Sequence, residues 1–271
     1  MPYASWDDVR LHYQVTGDGT PVVMVMGFVM SGSAWRFQVP TLSEAHQVCV
    51  FDNRGAGETE FKARPLSTRI FADDVCRLMD HLGWNEAHIV GVSMGGMIAQ
   101  ELVLRAPERV RSLTLVATHA GGVRARVPRR RGIVQFWRAQ TGKSRRDKGK
   151  ALSRLLFPDT FLETADPAWL AGILRDDFSS APPARHQASQ YAAIVRHDTR
   201  RRLRGVEIPT LVVKPEADAL IHPRESDRLH ALIPASRLLS IPGAGHGVVR
   251  QCAAELNAAL LDHFATHDAA R

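Results

Sequence analysis

The sequence predicts an α/β protein built on a mostly parallel central sheet flanked by helices. Short strand-like runs alternate with helical segments over residues 10–120 and again over residues 206–266. Such alternation is typical of a parallel sheet that carries helices on both faces. The segment 121–205 interrupts this rhythm, because it is helical in pattern and contains no strand-like run of five or more residues. We therefore predict a core formed by 1–120 and 206–271, with a helical insertion at 121–205.

Individual elements follow from periodicity and from turn residues. Alternating or continuously apolar runs predict strands, since a strand buried on both faces is apolar throughout. Apolar residues at helical spacing predict a helix over 68–82, with Gly83 as its stop signal. Two further helices are predicted over 94–104 and 250–264. The predicted strands are 10–15, 21–26, 47–51, 86–92, 110–117, 209–213 and 238–241.

Composition narrows the class of protein. The chain has 271 residues, of which 45% are hydrophobic, enough for one sizeable domain with a core of its own. Its three cysteines are an odd number and far apart, which disfavours a disulfide framework and indicates a reducing compartment. No apolar run is long enough for a transmembrane helix, and the first residues do not resemble a signal peptide. We expect a cytoplasmic protein that does not interact with membranes.

Positive charge is concentrated in the insertion. Residues 121–205 contain 19 Lys and Arg against 7 Asp and Glu, a net charge of +12, within a chain whose formal charge is +7. A solvated helix face explains such a distribution, and so does a patch that attracts an anionic substrate or an acidic carrier protein. Nucleic-acid binding is not expected, because no aromatic residues interleave with the basic runs as a stacking platform.

Ser93 is the candidate nucleophile. It lies in the sequence Gly91-Val92-Ser93-Met94-Gly95, between a predicted strand and a predicted helix. This G-x-S-x-G pattern is typical of a nucleophile elbow, a strained turn that needs glycines around a projecting serine. The alternative is an ordinary helix N-terminus that Ser93 caps.

A serine hydroxyl requires a general base, and His246 is the candidate. It follows the last predicted strand in the glycine-rich loop 242–247, although a plain loop histidine has the same sequence signature. The acid that orients the histidine is expected between serine and histidine in the chain. Asp218, which follows the strand 209–213, is our choice, and Glu216 is the rival.

An oxyanion hole is expected from two backbone N–H groups. One belongs to Met94, directly after the candidate nucleophile, and the other is assigned to Phe28 in the loop after an early strand. Gly27 would let the chain turn close to the site.

Ser93, Asp218 and His246, in this order and context, resemble the catalytic residues of the α/β-hydrolase superfamily. The sequence Phe51-Asp52-Asn53-Arg54-Gly55-Ala56-Gly57 is similar to the Asp-x-Arg-Gly-x-Gly turn of that superfamily. The resemblance covers about 10–120 and 206–266, and is nearest to small esterases, 3-oxoadipate enol-lactonases and cofactor-free perhydrolases. Met26 departs from the pattern, since most relatives have histidine before the oxyanion glycine.

The resemblance implies an α/β-hydrolase fold in which 121–205 is a helical cap inserted after the sixth strand. Such a cap shapes the substrate pocket, so its aromatic residues are pocket candidates beside Gly27, although packing between cap helices would explain them equally well. These aromatic candidates are Phe136, Trp137, Phe157 and Trp169.

The predicted function is therefore that of a serine hydrolase acting on a carboxylic ester, a lactone or a thioester. The substrate is expected to be a small acyl compound, apolar or partly anionic. A perhydrolase, an acyltransferase or cyclase, and a slow-turnover receptor on the same fold remain alternatives. No cofactor and no metal site is predicted, since His263 and His267 at i, i+4 lack an evident third ligand.

Overall fold

A computed structural model describes residues 2–62, 64–123, 125, 129–178 and 182–268. These residues contain a nine-stranded sheet with the strand order β1-β2-β4-β3-β6-β7-β8-β9, and β5 pairs with β2 beside this path. The strands are β1 (Tyr3–Trp6), β2 (Val9–Thr16), β3 (Thr20–Val25), β4 (His46–Phe51), β5 (Glu60–Phe61), β6 (Ala87–Val92), β7 (Val110–Val116), β8 (Thr210–Pro215) and β9 (Ser236–Ile241).

The sheet is antiparallel at one end and parallel elsewhere. Strand β2 runs antiparallel to β1, β4 and β5, whereas β4, β3, β6, β7, β8 and β9 are parallel to their neighbours. The predicted α/β class with a mostly parallel central sheet is confirmed. All seven predicted strands are present. Strands β1 and β5 were not predicted, because four and two residues are too few to display a period.

Eleven α-helices lie among the described residues. In α2, the Ser67 hydroxyl accepts a hydrogen bond from the Ile70 N–H, and Gly83 follows the helix with φ +72°. The helices are α1 (Val39–Leu42), α2 (Thr68–His81), α3 (Met94–Arg105), α4 (Arg130–Thr141), α5 (Arg145–Leu156), α6 (Asp159–Leu162), α7 (Pro167–Phe178), α8 (Ala184–Arg196), α9 (Arg224–Leu232), α10 (Val248–Gln251) and α11 (Ala253–Asp268).

The prediction of a single closing helix over 250–264 is wrong in one respect. The chain forms two helices there, α10 and α11, and Cys252 between them has φ −123° and ψ +42°. Apolar periodicity runs across the break, since residues on both sides of it are buried in the same core. The sequence pattern therefore could not distinguish two helices from one.

Apolar clusters cover both faces of the sheet. Successive residues of β6 show this, since Ile89 belongs to the cluster beneath α2 and α3, and Val90 belongs to the cluster beneath α11. Side chains alternate between the faces of a strand, so β6 is apolar throughout. Every residue of β6 is buried.

Helices α4 to α8 all lie within the insertion predicted at 121–205. They follow β7, which is the sixth strand in chain order when the two-residue β5 is left aside. Within the described part of the chain, every helix is too short or too polar to cross a lipid bilayer.

Candidate functional site

Ser93 occupies a strained turn between β6 and α3. Its backbone has φ +55° and ψ −118°, a conformation that residues with side chains rarely adopt. Two neighbouring glycines permit this turn, because a Cβ on Gly91 would collide with the backbone of Gly95, and a Cβ on Gly95 would collide with the Val25 carbonyl. The turn is also held by the hydroxyl of Thr118, which donates to the Ser93 carbonyl over 2.7 Å. The local geometry is thus that of a nucleophile elbow.

Asp218 and His246 form a hydrogen-bonded pair. Nδ1 of His246 donates to Oδ2 of Asp218 over 2.7 Å, and the side chains are 10% and 1% exposed. The other carboxylate oxygen accepts the N–H groups of Leu220 and Ile221 over 2.8 and 3.0 Å. The carboxylate is therefore fixed on one side by the backbone and presents its other oxygen to the imidazole. Glu216, the rival for this role, has an exposed side chain.

The three candidate catalytic residues lie at one edge of the sheet. Ser93 directly follows β6, Asp218 follows β8, and His246 follows β9, and these strands belong to the same parallel array. The carboxyl ends of parallel strands are where open α/β sheets bind ligands. Within the described part of the chain, the Ser93 hydroxyl has no hydrogen-bond partner.

The loop 242–247 that carries His246 is tied down on two sides. Gln251 accepts the N–H of Gly245 over 2.8 Å. The carbonyl of Leu156, the last residue of α5, accepts the N–H of Gly247 over 2.8 Å. Helix α5, from the segment predicted as an insertion, therefore contacts the backbone directly beside the candidate base. Neither contact could be read from the sequence, since Gln251 and Leu156 belong to no recognised motif.

The two backbone N–H groups assigned to an oxyanion hole are available to a ligand. The N–H groups of Phe28 and Met94 donate no hydrogen bond within the described residues, whereas the adjacent Val29 N–H donates to Gln190 Oε1 over 2.8 Å. Gly27 lies against the nucleophile, because a Cβ there would approach the Ser93 Cβ to 3.2 Å.

The loop that follows β3, which contains Gly27 and Phe28, is anchored by side chains that sequence reasoning missed. Asn53 donates to the Met26 carbonyl over 3.0 Å, and Asp52 accepts the Gly32 N–H over 2.7 Å. This anchoring holds the loop although Met26 replaces the histidine of the family pattern. In the sequence, Asn53 and Asp52 belong to a turn motif, and that motif does not indicate these contacts.

The four aromatic cap candidates divide into two pairs. Phe157 and Trp169 lie with their ring centroids 6.0 Å apart, and Trp169 reaches Phe37 of the core at 6.4 Å. Phe157 also packs against Gly247, beside the candidate base. In contrast, Phe136 and Trp137 on α4 are 40% and 67% exposed. The structure thus brings Phe157 near the site and leaves the α4 pair at the surface.

A buried ion-pair cluster joins helix α7, within the segment predicted as a cap, to the core. The side chain of Asp177, on α7, is fully buried and lies 2.7 Å from Arg36 and 2.6 Å from Arg250. Arg250 belongs to α10, four residues after His246, and burial lowers the pKa of its guanidinium despite the nearby carboxylate. The charge pattern of the sequence gave no sign of this cluster, because its members are more than 70 residues apart.

The basic residues of the cap line a cleft between α4 and α5. Its volume is about 340 Å³. Arg138, Lys143, Lys150 and Arg154 contribute positive charge to its walls, and Asp147 contributes one negative charge.

The edge of the sheet opposite Ser93 carries a different cluster, formed by His46, His88 and Asp268, whose ligand atoms lie within 4.8 Å of one another.

Comparison with known proteins agrees with the fold. The sequence profile of the alpha/beta hydrolase fold family matches residues 20–249. Carbamate hydrolase RutD of Azorhizobium caulinodans is 31% identical over 253 residues, 91% of each chain. Non-heme bromoperoxidase BpoC of Mycobacterium tuberculosis is 32% identical, over 95% of this chain and 98% of that protein.

Solved structures give the same result. The enol-lactonase from Burkholderia xenovorans superposes with a TM-score of 0.83 at 26% identity, covering 97% of this chain and all of the other. An elbow serine, a parallel sheet and a family profile that spans most of the chain lead to one assignment. The protein belongs to the α/β-hydrolase superfamily.

Proposed function

We propose that the protein is a serine hydrolase that cleaves a carboxylic ester, lactone or thioester through an acyl-enzyme on Ser93. The observation that carries the proposal is the 2.7 Å hydrogen bond between Asp218 and His246, at the sheet edge where the Ser93 turn also lies. A serine on a strained turn, with a carboxylate-bound histidine at the same edge, is the constellation that acyl transfer requires.

In the proposed reaction, Nε2 of His246 removes the proton of the Ser93 hydroxyl as Oγ attacks the substrate carbonyl. The negative charge that develops on the carbonyl oxygen is bound by the N–H groups of Phe28 and Met94. His246 then gives its proton to the leaving alcohol or thiol, and the acyl group stays on Ser93. Water attacks the ester in turn, with His246 as the base, and the free acid leaves.

Asp218 has an orienting role in this scheme. Because its carboxylate accepts only, the hydrogen of His246 is held on Nδ1, and Nε2 keeps the lone pair that a base needs. The negative charge of Asp218 also stabilises the imidazolium that forms during each proton transfer. Asp218 itself neither gains nor loses a proton.

The proposed substrate is a small acyl compound with an apolar acyl part. Phe157, Trp169 and Phe37 form an aromatic group that joins the cap to the core beside the loop of His246. An apolar wall next to the base is typical of pockets that hold the hydrocarbon part of a ligand.

The first experiment combines labelling by a fluorophosphonate with turnover of a short p-nitrophenyl ester. The Ser93→Ala protein is expected to lose the label and to lose about three to six orders of magnitude in turnover. Ser5→Ala removes an exposed hydroxyl on β1 and serves as the matched control. Normal turnover by the Ser93→Ala protein would refute the proposal. Labelling without turnover on a panel of esters, lactones, thioesters and carbamates would favour a slow-turnover receptor.

Perhydrolysis is the second candidate, and the similarity to the bromoperoxidase BpoC favours it. In that reaction hydrogen peroxide replaces water as the group that attacks the acyl-enzyme, and a peracid leaves. Bromination of a dye by peroxide, bromide and acetate would measure it. The Ser93→Ala protein should lose this activity together with ester turnover, and bromination that survives the substitution would exclude an acyl-enzyme route.

An acidic carrier protein that delivers a thioester is the partner that the basic cap would suit. Four of the positive charges of the basic cap lie in the walls of the cleft between α4 and α5. Association steered by charge weakens steeply as ionic strength rises. A kcat/KM for carrier-bound thioester that does not change with salt would count against such a partner.

A further inference from the structure

A second cluster of ligand-type side chains lies at the edge of the sheet opposite Ser93. His46 begins β4, His88 is the second residue of β6, and Asp268 ends α11. Since β4, β3 and β6 are parallel neighbours, their amino ends meet at this edge. The cluster therefore joins two strand starts to the end of the last helix, and the proposed reaction does not use it.

The polar atoms of the cluster lie close to one another. Nε2 of His46 lies 3.2 Å from Asp268 Oδ2, and Nε2 of His88 lies 3.0 Å from Asp268 Oδ1. All three ligand atoms lie within 4.8 Å of one another. Metal–ligand bonds of about 2.0–2.1 Å in a tetrahedral site place neighbouring ligand atoms about 3.3 Å apart. The two histidine–carboxylate separations, 3.2 and 3.0 Å, are close to that value, and each histidine faces its own oxygen of Asp268.

We propose that His46, His88 and Asp268 bind a transition-metal ion of the Zn²⁺ class, with water as the fourth ligand. Two imidazoles and one carboxylate are a donor set that suits Zn²⁺ and its neighbours and does not suit Mg²⁺ or Ca²⁺. The two histidines are buried and the Asp268 side chain is 28% exposed. An ion would enter on the Asp268 side, where the water ligand would also lie.

His88 has the support that metal-binding histidines usually have. Its other ring nitrogen, Nδ1, lies 2.7 Å from the hydroxyl oxygen of Ser112, the residue that pairs with it on β7. When Nε2 binds a metal, the neutral imidazole carries its hydrogen on Nδ1, and Ser112 Oγ can accept it. No proton has to leave the protein for this change, because the hydrogen moves from one ring nitrogen to the other.

The electrostatic surroundings favour a cation. The carboxylate of Asp268 stands at the C-terminal end of the sixteen-residue α11, where the helix dipole is negative. Among the described residues, Arg111 opposes it, since its guanidinium lies 3.6 Å from Asp268 Oδ1. Arg111 also forms a shorter ion pair with Glu86 over 2.6 Å, which offsets part of that charge.

A metal ion at this place would act on stability and not on the reaction. It would bind β4, β6 and α11 to a common centre, at the opposite ends of the strands from Ser93. Binding to the folded state alone raises the unfolding temperature in proportion to the logarithm of the metal concentration. Ester turnover should therefore not depend on the metal.

The test uses chelator-treated full-length protein, titrated with Zn²⁺ and separately with Co²⁺. We expect one equivalent of Zn²⁺ to bind with a rise in unfolding temperature, and Co²⁺ to give the visible absorption bands of a four-coordinate site. His46→Gln and Asp268→Asn should each weaken zinc binding at least about tenfold. His267→Gln, next to Asp268 but outside the cluster, should leave zinc affinity unchanged.

The cobalt spectrum of the unsubstituted protein does not depend on whether any variant folds. If neither metal shifts the unfolding temperature and no cobalt bands appear, the cluster is only a hydrogen-bonded link and the proposal is wrong. Zinc affinity that is unchanged in both His46→Gln and Asp268→Asn would also overturn it. Circular dichroism of the variants after treatment with the chelator verifies that they are folded.

Discussion

Asp218 and His246 are joined by a hydrogen bond of 2.7 Å, whereas Glu216, only two residues before Asp218, has an exposed carboxylate that pairs with no described side chain. Both carboxylates follow β8 in the chain, so the sequence left the choice between them open. The backbone decides it, because the N–H groups of Leu220 and Ile221 bind the Asp218 carboxylate and aim it at the imidazole.

Asp218→Asn should lower kcat for a p-nitrophenyl ester by about 10⁴. The amide would present N–H to Nδ1 of His246, so the ring would carry its hydrogen on Nε2 and could no longer act as a base. Glu216→Gln is the matched control and should turn over like the unchanged protein. Steady-state kinetics measures both, and the reverse order of effects would assign the orienting role to Glu216.

The strain at Ser93 predicts an unusual ranking of two substitutions. With φ at +55°, a residue that has a Cβ costs about 1–3 kcal/mol at this position, and glycine avoids that cost. The Ser93→Gly protein should therefore be more stable than the Ser93→Ala protein, by about 1 kcal/mol. Urea unfolding of the two proteins measures the difference, and both should be inactive.

Ser43 provides the comparison position, because its φ is −73°. In that ordinary conformation glycine is less favourable than alanine by about 0.5–1 kcal/mol. The Ser43→Gly protein should therefore be less stable than the Ser43→Ala protein. If the glycine variant were less stable than the alanine variant at both positions, the turn at Ser93 would not be strained.

The parts of the site that could be predicted have local signatures. Ser93 stands between two glycines that a tight turn requires, and Asp218 and His246 each follow a recognisable strand. Local sequence encodes such features, because backbone conformation depends mostly on near neighbours. The family resemblance then linked three local signals into one hypothesis.

Contacts between distant side chains could not be predicted in the same way. Gln190 binds the Val29 N–H from 161 residues away, and Asp177 binds Arg36 from 141 residues away. Such pairs leave no periodicity or motif in a single sequence, since they depend on how the cap docks on the core. His46, His88 and Asp268 could not be predicted as a cluster either, because their positions along the chain show no ligand spacing.

Acid should destabilise the protein through buried neutral histidines, of which His197 is one. Burial lowers the pKa of His197 to about 3, and its ring nitrogens face Thr68 Oγ1 at 3.2 Å and Gln100 Oε1 at 3.3 Å. The ring of His119 and the charges of Arg202 and Asp198 also face it.

The direction of the pH effect on stability follows from how His197 is protonated in the folded and in the unfolded chain. Above the ordinary pKa of 6.5 the imidazole is neutral in both the folded and the unfolded chain. As pH falls from 6.5 towards 3, the unfolded chain binds a proton that the folded protein does not, so the free energy of unfolding decreases. Between pH 7 and pH 5 this one group should remove about 2 kcal/mol.

His197→Gln should therefore flatten the dependence of stability on pH. Urea unfolding at several values between pH 5 and pH 8 measures the slope, and the variant's own stability at pH 8 serves as its baseline. The loss of stability between pH 7 and pH 5 should be about 2 kcal/mol smaller in the variant than in the unchanged protein. An identical slope would mean that His197 is protonated equally in the folded and unfolded states.

The carboxylate of Asp177 should contribute strongly to stability, because it pairs with Arg36 and Arg250 where the cap contacts the core. Asp177→Asn leaves the guanidinium groups of Arg36 and Arg250 close together without an anion, and Arg250 is 95% buried at its side chain. Removing one partner of a buried ion pair typically costs about 3–5 kcal/mol. The preceding residue, Asp176, is exposed and pairs with the exposed Arg175 over 3.3 Å, so Asp176→Asn should cost at most about 1 kcal/mol.

Urea unfolding followed by tryptophan fluorescence distinguishes these two neutralisations, which remove the same charge from adjacent positions of α7. High salt sharpens the comparison, because it screens the exposed pair and hardly reaches the buried one. The cost of Asp177→Asn should therefore persist in high salt, and the small cost of Asp176→Asn should vanish. Equal losses in the two variants would mean that the cap docks through its apolar contacts, such as Trp169 against Phe37, and that the buried charges contribute little.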